Sequence, residues 1–501
     1  MTAAHDLVRR VPRLIRNHDL ARQWLVGAPW SPRTLLAGSA SCFAATPPPQ
    51  WTVKRSPHRF FMYEEHGHGH IQDEQGMTEQ LQVSPVELAD LLHQSESSTT
   101  SSSSSNGRYH YYWTSPIAAV APDLLRPQSQ QQQENNNDPR GILSNYESLY
   151  NTTIASPQLD PRGPSLWMGT SGSGTQAHYD VADNALMQLF GTKRIRLWPP
   201  SAYRELHVFP DAHPRARKAQ VHLELLDSED EDAVTTTNRQ NHDARFPFFQ
   251  ALSNPYWDVL LEPGDVLEIP AFWFHHVENG RLPQTTTATF QGGVQDEPTV
   301  SINLFSLSQS MMMAQRIFQT ASQLQPFAAS TTTVELAAAV ALRALGWELL
   351  QGLSTLQPPP PHDTRSNKYA SPHIYIRTHL LQSRYGPLLG QDYFDNIKND
   401  NNHDSDEDSN TCAITNEQTQ AVQDCVARIL PDFAALQAMD HHEHDHDKDD
   451  HNNTGGGGGI VDLVALHLLE LWAVQLVGAP SVADAWKAAV HLAPPSSDVT
   501  N

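Results

Sequence analysis

His178 and Asp180 stand one residue apart in Gly174-Thr175-Gln176-Ala177-His178-Tyr179-Asp180, and His275 follows far downstream in Phe272-Trp273-Phe274-His275-His276. Two imidazoles and one carboxylate on one face of a metal leave the opposite positions open for a co-substrate and dioxygen. That is the facial triad of non-haem Fe(II) chemistry. On a strand, side chains two apart share a face, so His178 and Asp180 reach one metal while Tyr179 points away. A bare His-x-Asp is common, and alone it reads as a polar strand beside a buried histidine. The surrounding residues decide between the two.

Pro263-Gly264-Asp265 form a turn, and Val266, Leu267 and Ile269 suit a strand that could carry His275 to the same metal. Enzymes of this kind use 2-oxoglutarate, which takes the metal through its 1-carboxylate and 2-oxo group. Its distal carboxylate then needs a fixed cation and a hydroxyl. Lys193 opens a predicted strand at 193–198, after a strand at 185–190 and a turn at Gly191-Thr192. Among Ile195, Leu197 and Trp198 a lysine is expensive to bury unless a carboxylate meets it. The competing reading is a solvated hairpin charge beside Arg194 and Arg196. Thr175 is the candidate hydroxyl.

In order along residues 166–305 stand Thr175-x-x-His178-x-Asp180, Asn184, Gly191-Thr192-Lys193-Arg194 with Leu197-Trp198-Pro199-Pro200, the His213-Pro214 loop, and Ser301-Ile302-Asn303-Leu304-Phe305. This series resembles the JmjC, or cupin-8, family of Fe(II)/2-oxoglutarate oxygenases. It is most similar to the branch with the asparaginyl hydroxylase that inhibits hypoxia-inducible factor and the wybutosine-synthesis tRNA hydroxylase. The resemblance implies a mainly β double-stranded β-helix (cupin or jelly-roll) barrel with flanking helices and a C-terminal α-helical region. It implies Fe(II) on His178, Asp180 and His275, with 2-oxoglutarate and dioxygen as co-substrates. The family sets its last ligand directly after an aromatic residue, which selects His275 and leaves His276 as the alternative. Asn184 and Asn303 would lie near the co-substrate, and Tyr112 would add a hydroxyl, with Tyr109 and Tyr111 as competitors. The implied reaction decarboxylates 2-oxoglutarate to succinate and hydroxylates a macromolecule, a protein side chain ahead of a tRNA base. A catalytically silent barrel kept for binding is the reading from another class, against which the complete triad, Lys193 and Thr175 speak. A metal-dependent cupin without 2-oxoglutarate would leave Lys193 and Thr175 without a purpose.

The remaining sequence sets bounds. With 501 residues there is room for a large domain and a smaller one. A net charge of -23 argues against a general nucleic-acid surface, although Arg215, Arg217 and Lys218 form a small basic group. Three cysteines, at 42, 412 and 425, suit a reducing compartment, cytosol or nucleus. The arginine-rich start from Leu7 to Trp30 reads as an ordinary helix. The apolar run 460–477 contains Asp462, His467 and Glu470 and reads as a buried helix, not a membrane span. Residues 1–105 are expected to support the barrel, with strands at 51–53 and 59–63 and a helix at 85–93. Residues 106–310 should form the barrel and 311–501 the helical region, where family members dimerise or dock substrates. Helices are expected at 334–350 (capped by Thr332 and Glu335), 372–389, 416–439, 460–477 and 481–492. Polar tracts at 95–105, 128–138 and 227–243 read as surface insertions. The histidine-rich stretches 66–70 and 441–446 lie in low-complexity sequence, where nothing fixes ligand geometry.

Overall fold

The computed structural model describes residues 11–27, 30–36, 50–56, 79–93, 109–125, 143–149, 158–221, 223, 240–252, 255, 257–280, 297–324, 334–356, 367–389, 414–441 and 459–492. The expected strand at 59–63, the tracts at 95–105 and 128–138, the histidine-rich stretch 66–70, Thr332, Cys42 and Cys412 lie outside these residues, as does most of 441–446. So does most of 227–243, whose last residues enter a helix at 240–245 in place of the expected loop. The chain forms two compact units, one from residues 1–199 and 255–308, the other from 200–254 and 309–501.

The first unit holds β1 (Arg13–Ile15), β2 (Trp51–Ser56), β3 (Glu79–Val83), β4 (His110–Pro116), β5 (Gln158–Leu159), β6 (Ser165–Gly169) and β7 (Gly174–Tyr179). It continues with β8 (Asp183–Phe190), β9 (Lys193–Trp198), β10 (Trp257–Leu261), β11 (Val266–Ile269), β12 (Phe274–Asn279) and β13 (Thr299–Leu307). The larger sheet runs β1-β11-β8-β13-β6-β4-β2-β3, with β5 also on β13, and the smaller runs β10-β9-β12-β7. From β7 to β13 the chain changes sheet at every connection except β9 to β10. This is the winding of a double-stranded β-helix.

Alternation along the strands divides their side chains between two cores. Leu186, Leu267 and Ile269 of the larger sheet meet Ile195, Leu197, Leu261 and Val277 of the smaller one inside the barrel. Their neighbours Ala185, Met187, Leu189, Val266, Ile302 and Leu304 face outward onto Leu20, Trp24 and Leu88 of the N-terminal helices. Each fully buried large apolar side chain contributes about 1.5–3 kcal/mol. The helix Pro85–His93 stands where expected, opened by a capping box in which Ser84 N donates to Glu87 Oε2 (2.7 Å) and Glu87 N to Ser84 Oγ (3.3 Å).

The arginine-rich start departs from expectation. Arg13–Ile15 is an edge strand on β11, and the helix is confined to Asp19–Gly27. The arginines grip the barrel: Arg13 pairs with Glu268 at 2.9 Å, and Arg16 with Asp265 at 2.5 Å. The expected division also shifts. Strands β2 and β3 extend the larger sheet, so residues 1–105 are not set apart from it. Residues 200–254 belong with the helical unit, so the chain leaves the barrel after β9 and re-enters at β10.

The second unit contains helices Gln309–Ser322, Val334–Leu356, Asn416–His441, Gly459–Val477 and Val482–His491. Pro372–Tyr375 continues as a π-helix, Ile376–Tyr385, and ends in Gly386–Leu389. The stretches 335–356 and 459–477 are long and apolar enough to cross a membrane, with 56% and 67% of their apolar windows buried inside the fold. Within the second, Asp462 accepts hydrogen bonds from Tyr369 (2.8 Å) and Tyr375 (2.9 Å), and Glu470 meets Arg384. The expected buried helix is therefore packed, and its acids are partnered.

Candidate metal centre

His178 on β7 and His275 on β12 are direct cross-strand partners, with ring centroids 4.2 Å apart. Asp180 follows β7, and the candidate ligand atoms of the three residues lie within 4.8 Å of one another. His178 Nδ1 lies 2.8 Å from the Gln176 carbonyl and His275 Nδ1 lies 3.1 Å from that of Trp273. A carbonyl beside Nδ1 fixes the proton there and leaves the Nε2 lone pair for a metal. His276 faces the other way, where its Nε2 lies 3.4 Å from Glu278 Oε1 and its strand partner is Arg196.

The segment expected as one strand leading to His275 is two strands on different sheets, joined by a turn over Pro270 to Trp273. Phe272 adopts φ +69°, a region that costs an ordinary residue about 1–2 kcal/mol. Its N–H donates to the Asp180 carbonyl at 2.7 Å, Ala271 N–H donates to Asp183 Oδ1 at 2.9 Å, and its ring stacks on Tyr179. The turn ties the Asp180 backbone to the strand that carries His275.

Thr175 lies three residues before His178, and strict alternation would put the two on opposite faces. Pairing shows how they come to share one: His275 faces His178, but Val277 faces Thr175. One extra residue on β7 forms a β-bulge that turns Thr175 back into the barrel. There its hydroxyl bonds that of Tyr112, whose own ionisation burial pushes up to about 12. Tyr111 packs in the outer core, and Tyr109 is exposed under Arg55. Of the three tyrosines, Tyr112 is the one facing inward. Gly169, its partner on β6, leaves room for the ring, since an added Cβ would lie 2.4 Å from Asn279 Nδ2 and 3.1 Å from Tyr112.

Lys193 is 2% exposed and donates to Ser301 Oγ at 2.6 Å, across the barrel on β13. Among the described residues it meets no carboxylate, and burial pushes its ammonium down to about 7. Arg194 and Arg196 face outward instead, toward Asp258 and Glu278. Gly191, at φ +66°, makes the turn between sheets that brings Lys193 inward. Asn303 Nδ2 donates to Asn184 Oδ1 at 3.2 Å, and the buried Asn303 Oδ1 has no partner among the described residues. A buried cation lacking an anion, inward hydroxyls and an orphaned amide oxygen beside a His-Asp-His group fit a chelating dicarboxylate on a metal. Ser301 was not singled out from sequence. Its signal is the two-residue step to Asn303, which puts both on one face of β13.

The cupin-like domain family matches residues 55–306. The chain belongs to the cupin-like family. Its relatives include JmjC domain-containing protein F of Dictyostelium discoideum, 28% identical over 124 residues (23% of this chain, 24% of that protein). Lysine-specific demethylase JMJ30 of Arabidopsis thaliana is 30% identical over 115 residues, 23% of each chain. The tRNA wybutosine-synthesizing protein 5 of Homo sapiens is 35% identical over 101 residues (20% and 25%). This cupin-like chain thus spans about a quarter of the length of each relative. The solved structure of Escherichia coli YcfD aligns over 72% of this chain and 61% of that one, at 11% identity and a TM-score of 0.27.

Proposed function

We propose that this cupin-like protein is an Fe(II)- and 2-oxoglutarate-dependent dioxygenase that hydroxylates a macromolecular substrate, a protein side chain by preference. The supporting observation is Lys193, a buried ammonium that meets no carboxylate among the described residues, in the same barrel as His178, Asp180 and His275. Fe(II), when bound, would supply dioxygen activation and couple it to decarboxylation of 2-oxoglutarate. His178, Asp180 and His275 would hold the metal, with the two carbonyl-fixed imidazoles presenting Nε2. Lys193, Thr175 and Tyr112 would bind the distal carboxylate deep in the barrel. Asn184 and Asn303 would orient the end nearer the metal. The apolar wall of Leu186, Ile195, Leu267 and Trp273 would keep water from the bound co-substrate.

One relative is named for lysine demethylation and another for tRNA wybutosine synthesis. A net charge of -23 disfavours a polyanionic substrate and favours protein. The test is 2-oxoglutarate turnover to succinate by the purified protein with Fe(II) and ascorbate. Slow turnover that disappears in Asp180→Ala is expected, followed by a substrate search in protein and tRNA pools. Absence of both turnover and 2-oxoglutarate binding would overturn the proposal in favour of a silent binding barrel.

A further inference from the structure

Trp167 lies on β6 between Leu166 and Met168, both of which pack in the outer core, so its indole faces the barrel interior. Directly across from it on β13 is Ser301, the acceptor of the Lys193 ammonium. Its ring centroid is 5.7 Å from that of Tyr112, whose hydroxyl bonds Thr175. Trp167 is thus adjacent to both Ser301, which holds Lys193, and Tyr112, which holds Thr175. Yet its Nε1 is buried and has no hydrogen-bond partner among the described residues. Buried indoles normally satisfy this donor. In the same unit Trp24 Nε1 donates to Asn145 Oδ1 at 3.2 Å and Trp30 Nε1 to the Trp24 carbonyl at 2.9 Å. A buried orphaned donor is costly, and the missing acceptor is most simply the anion that Lys193 also lacks among the described residues.

We propose that Trp167 donates its Nε1–H to the distal carboxylate of the bound dicarboxylate, beside Lys193, Thr175 and Tyr112. This rests on the co-substrate reading above. The indole would then be a binding residue as well as a wall. Because a neutral N–H adds no charge, it strengthens recognition of a carboxylate without making the site more attractive to small inorganic anions or dependent on a second buried ion pair.

The test compares two ligands on full-length protein loaded with Mn(II) in place of Fe(II). 2-Oxoglutarate carries the distal carboxylate, and 2-oxopentanoate has a methyl group in its place. Trp167→Phe keeps an aromatic wall and removes only the donor. The expected result is a roughly tenfold or greater loss of 2-oxoglutarate affinity with 2-oxopentanoate affinity unchanged, as for a hydrogen bond to a charged group. In the wild-type protein loaded instead with diamagnetic Zn(II), the indole 15N–1H resonance missing from Trp167→Phe should move downfield with 2-oxoglutarate and stay in place with 2-oxopentanoate. Equal weakening of both ligands, or an unmoved resonance on saturation with 2-oxoglutarate, would overturn the donor role and leave the co-substrate reading intact. Failure of the wild-type protein to bind 2-oxoglutarate would overturn the co-substrate reading itself, and this inference with it.

Discussion

Lys193 Nζ donates to Ser301 Oγ at 2.6 Å, joining the smaller sheet to the larger one through the barrel interior. A hydroxyl can orient an ammonium but cannot neutralise it. Burial accordingly pushes Lys193 down to about 7, against an ordinary lysine near 10.5.

The first prediction concerns protons. Above pH 7 the ligand-free lysine is mainly neutral, and a carboxylate placed beside it restores the charged form. Binding of 2-oxoglutarate at pH 8 should therefore take up about one proton, and at pH 6 almost none. Calorimetric binding enthalpies in buffers of different ionisation heat measure this directly. Lys193→Arg, which stays charged, should lose the uptake. The same depressed ionisation makes the ligand-free fold gain stability as pH rises from about 7 toward 10.5, because only the unfolded chain holds the proton there. Equal uptake at both pH values would show that Lys193 does not titrate on binding.

A second prediction separates the neighbouring histidines. His275→Ala should abolish tight metal binding, as should His178→Ala and Asp180→Ala. His276→Ala should keep metal content near one equivalent, by the geometry of alternate faces. It should instead lower stability by about 1–3 kcal/mol, because Glu278 and Arg196 are buried around it. Metal analysis after gel filtration and urea unfolding give the two readouts. Loss of metal from His276→Ala would reverse the assignment.

The Phe272 turn makes a third. At ordinary positions alanine is more stable than glycine, but φ +69° inverts that order. Phe272→Gly should exceed Phe272→Ala in stability by about 1 kcal/mol, while both lose the stack on Tyr179. Because the stack on Tyr179 braces the turn whose N–H holds the Asp180 carbonyl, losing that stack should also make both variants bind metal more weakly than the parent. If the alanine variant proved the more stable, the left-handed turn would be refuted.

The barrel could be read from sequence where local pattern and long-range order agree. Strand positions around His178 and Lys193 and the C-terminal helices were legible because alternation, apolar periodicity and turn residues encode them. The inward aim of Thr175 was not, since a three-residue step from His178 contradicts alternation and only the partner strand reveals the bulge. Nor was the edge strand Arg13–Ile15, whose arginines acquire a role only when Glu268 and Asp265 arrive from the far end of the barrel sequence. The excursion of residues 200–254 into the helical unit has the same cause: contacts such as His207 with the Ser383 carbonyl (2.8 Å) join positions that no local pattern relates.

That helical unit carries the last prediction. Arg384 is 1% exposed and meets Asp211 and Glu470, each at 2.9 Å, while Asp211 N–H donates to Glu470 Oε2 at 2.5 Å. Burial opposes ionisation of Asp211, but Arg384 and His467 outweigh it and hold that carboxyl well below its usual range. For Glu470 burial wins over Arg384 and pushes the carboxyl up to about 7. The two carboxylates compete for one guanidinium, and removing the arginine leaves both buried together. Arg384→Met should therefore cost about 3–5 kcal/mol. Glu470→Gln should cost only about 1 kcal/mol, because an amide oxygen still accepts from Asp211 and the Arg384–Asp211 pair survives. A raised folded-state value means that Glu470 contributes most below pH 4.5 and that its contribution falls as pH rises toward 7 and beyond. Glu470→Gln should remove that fall, so its deficit relative to the parent should be smaller at pH 8 than at pH 5. Urea unfolding of the three proteins at both pH values measures each difference, and equal losses in the two variants would refute the competition.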